Sequence, residues 1–223
     1  EIVTTTSVFS REDYFTVRRL HFIQSVLIDA HAGGRIFYGL RALTNGDSLY
    51  PLLESIVREV PDPSSPFSRM LSEFEAAASE EFVTDEALEE RRFRGSGARR
   101  SLKLNPYFLS KLFYEGEVLD DFLRILQSKM VDLYGQDPDV VAAVLAVVRQ
   151  RVYPFDGSTE GRISVAFRIE ELARAALAPR EFSFTRENLL PEPVAVRVFK
   201  GRTYSEFVDG QSPDGHRFEA IYD

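Results

Sequence analysis

Proton transfer near neutral pH is chemistry for imidazole, and this sequence has three histidines, His21, His31 and His216. If one helix carried both His21 and His31, their side chains would stand about 80° apart at 100° per residue, a loose convergence. No HxxxH or HExxH spacing places two imidazoles on one helix face, so a zinc site is not indicated. Gln24 and Asp29 lie close to His21 in sequence, and the three would make a polar cluster able to face a ligand. A histidine satisfied at the boundary of a core is the more ordinary reading. A small acid/base hydrolase with His21 or His216 as base is the weakest functional reading, because no nucleophile, base and orienting group can be assembled from the sequence.

Carboxylates occur in adjacent pairs, Asp120–Asp121, Glu80–Glu81 and Glu170–Glu171. Neighbouring residues on a helix diverge, so these pairs are expected to be solvent-facing charges and not acid/base couples. There is no GxSxG elbow, no GxxxxGK[ST] loop and no GxGxxG fingerprint; Gly95-Ser96-Gly97 lacks the strand-to-helix setting that would make it a phosphate cradle. The cysteine count is zero, which removes disulfides, thiolate nucleophiles and cysteine-ligated clusters from this chain. No catalytic, cofactor-binding or metal-ligating residue is therefore assigned.

Lysine and arginine number 27 against 35 aspartates and glutamates, a net charge of −8. Phosphate-backbone binding depends on basic groups releasing counterions, so nucleic acid is not an expected partner. The arginine run Arg91, Arg92, Arg94, Arg99 and Arg100 is the one place that would permit a local anion site, and its ordinary expectation is a solvated loop. Apolar residues at 44% and charged residues at 28% belong to a soluble globular chain, long enough at 223 residues for one well-cored domain. No run approaches the roughly 18 to 20 apolar residues of a membrane span, and no leader pattern opens the sequence, so the expectation is a soluble, cytoplasmic protein.

The elements that would position any site are mostly helical. Ser10 with Asp13 has capping-box spacing and opens a long helix to about residue 32, stopped by Gly33 and Gly34. A second helix covers Arg35 to Leu43 before the turn Asn45-Gly46; Asp47 or Ser48 then caps a third through Leu52, Leu53, Ile56 and Val57. Pro61 to Pro66 breaks the pattern, which resumes at Phe67, Met70, Leu71 and Phe74, and Thr84 is placed to cap a segment from Asp85 to Arg92. Residues 94–101 read as an exposed loop. Asn105 with Pro106 reads as an N-cap and first helical position, Val118 to Tyr134 as a helix ending at Gly135, and Asp137-Pro138 as the start of a valine-rich helix, since alternation is absent. Beyond Pro154, Ser164 to Ile169, Glu181 to Thr185, Val194 to Phe199 and Arg217 to Tyr222 read as strands, with Glu170 to Leu177 helical and Ser212 to Gly215 a turn pairing flanking strands. The fold class is thus mainly α: a multi-helix bundle-like domain at 10–153, with a small α+β extension at 154–223 containing short antiparallel strands.

The opening residues EIVTTTSVFSREDYFTVRRLHFIQSVLID begin in mid-pattern and without a methionine, as expected of a piece of a longer chain. The order Val3, Thr4, Thr5, Thr6, Ser7, Phe9, Ser10, Glu12, Asp13 and Tyr14 resembles the region just after the barrel in cobalamin (B12)-binding radical SAM proteins. There, a Thr/Ser-rich exit strand leads through a serine and an acidic pair into a long aromatic helix. The resemblance covers about 30 residues and implies that 1–9 is an exit strand or linker from an upstream domain. The parent would carry a cobalamin-binding Rossmann-like domain and a barrel whose CxxxCxxC loop holds a 4Fe-4S cluster and S-adenosylmethionine. None of those cofactor residues maps onto this chain.

The function the resemblance implies is a C-terminal accessory region packed against the upstream barrel, closing the substrate side and lacking catalytic machinery of its own. Tyr14, Arg18, His21 and Gln24 on the first helix are then the candidates to face substrate, although arginines such as Arg18 and Arg19 are ordinarily solvated. The competing class is a stand-alone helical interaction or scaffold module.

Overall fold

In the computed structural model the described residues are 10–28, 34–58, 62–79, 104–151, 160–199 and 220–222. The expected helix at 85–92, the loop at 94–101, the turn at 212–215, residues 1–9, His31 and His216 lie outside them.

Helix α1 (Arg11–Ile28) starts as its sequence dictates. Ser10 Oγ accepts the Asp13 N–H at 3.1 Å, while Asp13 Oδ2 accepts the Ser10 backbone N–H and hydroxyl, both at 2.7 Å. These bonds satisfy donors that have no intrahelical partner and hold the Asp13 carboxyl below its ordinary pKa. The helix is described to Ile28, the expected end near residue 32 and Gly33 lying outside the described residues, and Gly34 is the first residue of α2 (Gly34–Leu43). Glycine's entropic cost falls on helix interiors, so it is tolerated at an end. α2 closes on Asn45 (φ 53°) and Gly46 (φ 82°), the left-handed pair expected of Asn-Gly.

The N-cap of α3 (Tyr50–Val57) is Leu49, not the expected Asp47 or Ser48, and its side chain makes no cap; Ser48, one residue earlier, accepts the Tyr50 N–H at 3.2 Å. Pro66 opens α4 (Pro66–Ser79), where its missing N–H costs nothing. α5 (Leu104–Tyr114) begins one residue before the expected cap, so Asn105 lies inside the first turn and its side chain is turned to another helix. α6 (Gly116–Tyr134) ends on Gly135 at φ 63°. Asp137 Oδ1 accepts the N–H groups of Asp139 (2.9 Å) and Val140 (3.4 Å), capping α7 (Pro138–Arg151). The valines of α7 are helical because they repeat at three- and four-residue spacing; Val140, Val141, Val144, Val147 and Val148 are all buried. No helix among the described residues is long and apolar enough to cross a membrane.

The C-terminal part contributes β1 (Glu160–Phe167), α8 (Ile169–Leu177), a 3-10 turn at Arg186–Asn188, β2 (Leu189–Phe199) and β3 (Ala220–Tyr222). The strands form an antiparallel sheet in the order β1-β2-β3, with Val165 opposite Val194 and Val196 opposite Tyr222. β2 is central yet carries Pro191 and Pro193. Both fall where the register with β1 shifts, between Leu189 and Val194, and before the pairing with β3 begins, so no ladder donor is lost.

Glu181 to Thr185 is not a strand. Its alternation is real, but Phe184 packs edge-on to Phe167 (4.9 Å, 81°) and Arg174 lies 5.3 Å over Phe182, so the side chains are used without a neighbouring strand.

α1 packs on α2, α3, α4 and α5; α6 borders α3, α4, α5 and α7; α8 lies along α2, and α7 backs β1 and β2. One apolar core runs from Phe22 and Ile23 through Val144 and Val148 to Phe167, Phe184 and Val196. The change of character near residue 154 is therefore a change of secondary structure across a shared core.

Gly39 sets the α2–α7 approach: a Cβ there would come within 2.9 Å of Val148 Cγ2 and 3.1 Å of Val144 Cγ1. Valine on a helix is stiff, so Gly39→Ala is expected to cost about 1 kcal/mol net, overpacking exceeding the gain in helix propensity. In a Val148→Ala background that penalty should fall by at least about 1 kcal/mol, read from urea unfolding of the four proteins of the cycle.

Arg186 ties the 3-10 turn to the head of α7 through Asp137 (2.9 Å) and Asp139 (2.8 Å). Burial works to raise the Asp137 carboxyl, but the Asp139 N–H, Arg186 and the Val140 N–H together outweigh it and hold the group below its ordinary value. A depressed folded pKa contributes stability that is present above the unfolded aspartate value of about 3.9 and lost as pH falls through the folded value. The difference in melting temperature between the native chain and Arg186→Ala should accordingly be constant from pH 7 to about 5 and shrink below about pH 4.

Candidate functional site

At 100° per residue, Tyr14, Arg18, His21 and Gln24 fall within an arc of about 120° on α1. The helix turns the opposite side, Phe22, Ile23, Val26 and Leu27, into the core. The four candidates do share one face. His21 and Gln24 are exposed, Tyr14 and Arg18 half-buried, and Val17 stands between them at 51% exposure.

An aromatic ladder fixes this face from behind. Phe22 stacks on Phe74 of α4 at 4.7 Å and 27°, and Phe74 meets Phe108 of α5 edge-on at 5.4 Å and 88°. The Arg18 guanidinium carbon lies 6.0 Å from both the Tyr14 and the Phe74 ring centres, so its plane is held by cation–π attraction on the ladder's outer edge. One turn on, His21 Nδ1 is 2.9 Å from the side-chain nitrogen of Asn105. With that amide donating, Nδ1 accepts and Nε2 carries the proton outward. Gln24, a further turn along, makes no side-chain hydrogen bond among the described residues.

Arg19 departs from the expected solvated arginine. It points to the other side of α1, where Nε (2.6 Å) and Nη2 bind Glu75 Oε1 and Nη1 donates to the Val57 carbonyl at 2.7 Å. Its side chain is 18% exposed. The pair sits at the floor of an open groove of about 800 Å³ between α1 and α4, bordered by Arg11, Phe15 and Thr16.

The chemistry available on the α1 face is recognition: a guanidinium held on two rings, an imidazole N–H and a free amide. The described partner of His21 is the Asn105 amide, which orients the ring. Among the described residues no three histidine, aspartate or glutamate side chains converge as metal ligands. No protein-family model, no curated protein and no solved structure matches the chain.

Two contributors escaped the sequence reading. Asn105 is a partner of His21 from 84 residues away, which no local signal announces. Asp121 is not solvent-facing: it is 4% exposed, whereas Asp120 is exposed and paired with Arg149 at 2.5 Å. Asp121 Oδ2 accepts the Ser65 hydroxyl and the Phe67 N–H (3.1 Å), capping α4 from α6, and Oδ1 binds Arg124. A signal existed, because position 121 shares the apolar stripe of Val118, Phe122 and Ile125.

Proposed function

We propose that this chain is the C-terminal accessory region of a cobalamin-dependent radical SAM enzyme, covering the substrate side of a barrel supplied upstream and carrying no catalytic group of its own. The observation that supports it best is the continuity between the opening Thr-rich segment, which resembles a barrel exit strand, and the braced polar face of α1 that follows it. Radical intermediates are quenched by solvent, so the region next to the barrel mouth has to exclude water and hold the substrate still. Arg18, seated on Tyr14 and Phe74, loses little further freedom on binding and suits an anionic or hydrogen-bond-accepting group. His21 and Gln24 extend the same row of donors.

The 4Fe-4S cluster does not fit the residues of this chain, which offers no cysteine to hold it, and S-adenosylmethionine and cobalamin are assigned with it to the upstream domains.

Two measurements test the reading. The reading frame upstream of Glu1 is expected to encode a CxxxCxxC triplet. A photoreactive phenylalanine analogue placed at Gln24 in the full-length enzyme is expected to cross-link to the barrel or the substrate, and one at exposed Leu133 on α6 is not. A frame without the triplet, or equal cross-linking from both positions, points to a free-standing interaction module.

A further inference from the structure

Where α1, α2 and α8 end, a cleft of about 480 Å³ opens, away from the Tyr14–Gln24 row. That volume is in the range of small-molecule sites. Ile28, Phe37 and Pro179 form its apolar wall, and Arg41, Asp47, Arg180 and Glu181 bring charge of both signs to it. Among the described residues none of these four side chains makes an ion pair or a hydrogen bond, whereas Arg19, Arg58, Arg124, Arg149 and Arg186 each hold a carboxylate.

The turns that carry the two carboxylates are set by backbone bonds. Asp47 is fixed by its N–H to the Thr44 carbonyl at 2.9 Å, and Glu181 by its N–H to Ala178 at 3.0 Å. The two turns that carry them are wedged together, since a Cβ on Gly46 would sit 2.9 Å from Pro179 Cγ. A monoanion entering this cleft meets two arginines and two carboxylates, attraction and repulsion that offset one another, and so does a monocation. A ligand carrying both charges on a short frame gains from both pairs, and an apolar side chain would cover Phe37 and Ile28.

We propose that the cleft binds a small zwitterion with an apolar side chain, an α-amino acid of the leucine or phenylalanine type. Its carboxylate would lie toward Arg41 and Arg180 and its ammonium toward Asp47 and Glu181. The inference is independent of the accessory role proposed above.

The test titrates the isotope-labelled 223-residue chain with L-leucine, with 4-methylpentanoate and with 3-methylbutylamine, following the amide resonances of Thr44, Gly46 and Glu181. Leucine is expected to saturate these shifts, with each single-charge analogue at least about tenfold weaker. Arg180→Met should weaken leucine by about tenfold and, by removing a like charge, strengthen the amine; Glu181→Gln should weaken leucine and for the same reason strengthen the acid. Both residues are exposed, and an otherwise unaltered spectrum certifies each fold. No saturable shift with leucine or phenylalanine, analogues less than about tenfold weaker, or variants that bind leucine unchanged would overturn the proposal.

Discussion

Asp121→Ala is expected to lower the unfolding free energy by about 3 kcal/mol, measured by urea denaturation. The loss does not come from the Arg124 ion pair, because Arg124 is 74% exposed and water screens it. It comes from two donors left behind in the core, the Ser65 hydroxyl and the Phe67 N–H, both of which end on Asp121 Oδ2. Ser65 in turn accepts the Ser68 N–H at 3.1 Å, so the first turn of α4 hangs on one carboxylate of α6. Asn keeps an acceptor in place, and Asp121→Asn should cost only about 1 kcal/mol. Arg124→Ala should cost less than about 1 kcal/mol. An alanine variant at 121 no less stable than the asparagine variant would show that the buried acceptor does not hold α4.

Phe74→Ala should be at least as severe, about 4 kcal/mol, with the same measurement deciding. Phe74 is fully buried and touches Phe22 on one side and Phe108 on the other, so truncation opens a cavity among α1, α4 and α5 and removes two ring pairs. Against a total of about 5–15 kcal/mol for an ordinary domain, such a loss leaves little margin. Phe74→Leu fills most of the volume and should cost about 1.5 kcal/mol. The outer consequence falls on Arg18, which loses one of its two rings, so the leucine variant separates the seating of Arg18 from gross unfolding.

The helices were readable because their signals are local. The Ser10–Asp13 box, the Asn45-Gly46 turn, the Gly135 stop and the Asp137-Pro138 start each act within four residues and appear as their chemistry requires. The apolar spacing in α6 and α7 likewise declares its buried stripe. The failures have one physical origin. Glu181 to Thr185 has a strand's alternation, but a strand also needs a neighbour's backbone, and that neighbour is not adjacent in sequence. Asn105 carries cap chemistry that His21 takes up instead.

What the residues alone settle here is the mainly helical character, where several helices begin and end, that Tyr14, Arg18, His21 and Gln24 share a face, and that a chain without cysteine does no thiol chemistry. Tertiary structure alone decides which member of a charged pair is buried, what holds Arg19, and which charged groups gather around the cleft beside Gly46 and Pro179. Ser65 and Asp121, like Arg19 and Glu75, meet across 56 residues. Helical periodicity and caps are set by atoms one turn apart, whereas desolvation and ion pairing depend on what packs from the far side, and no local pattern encodes that.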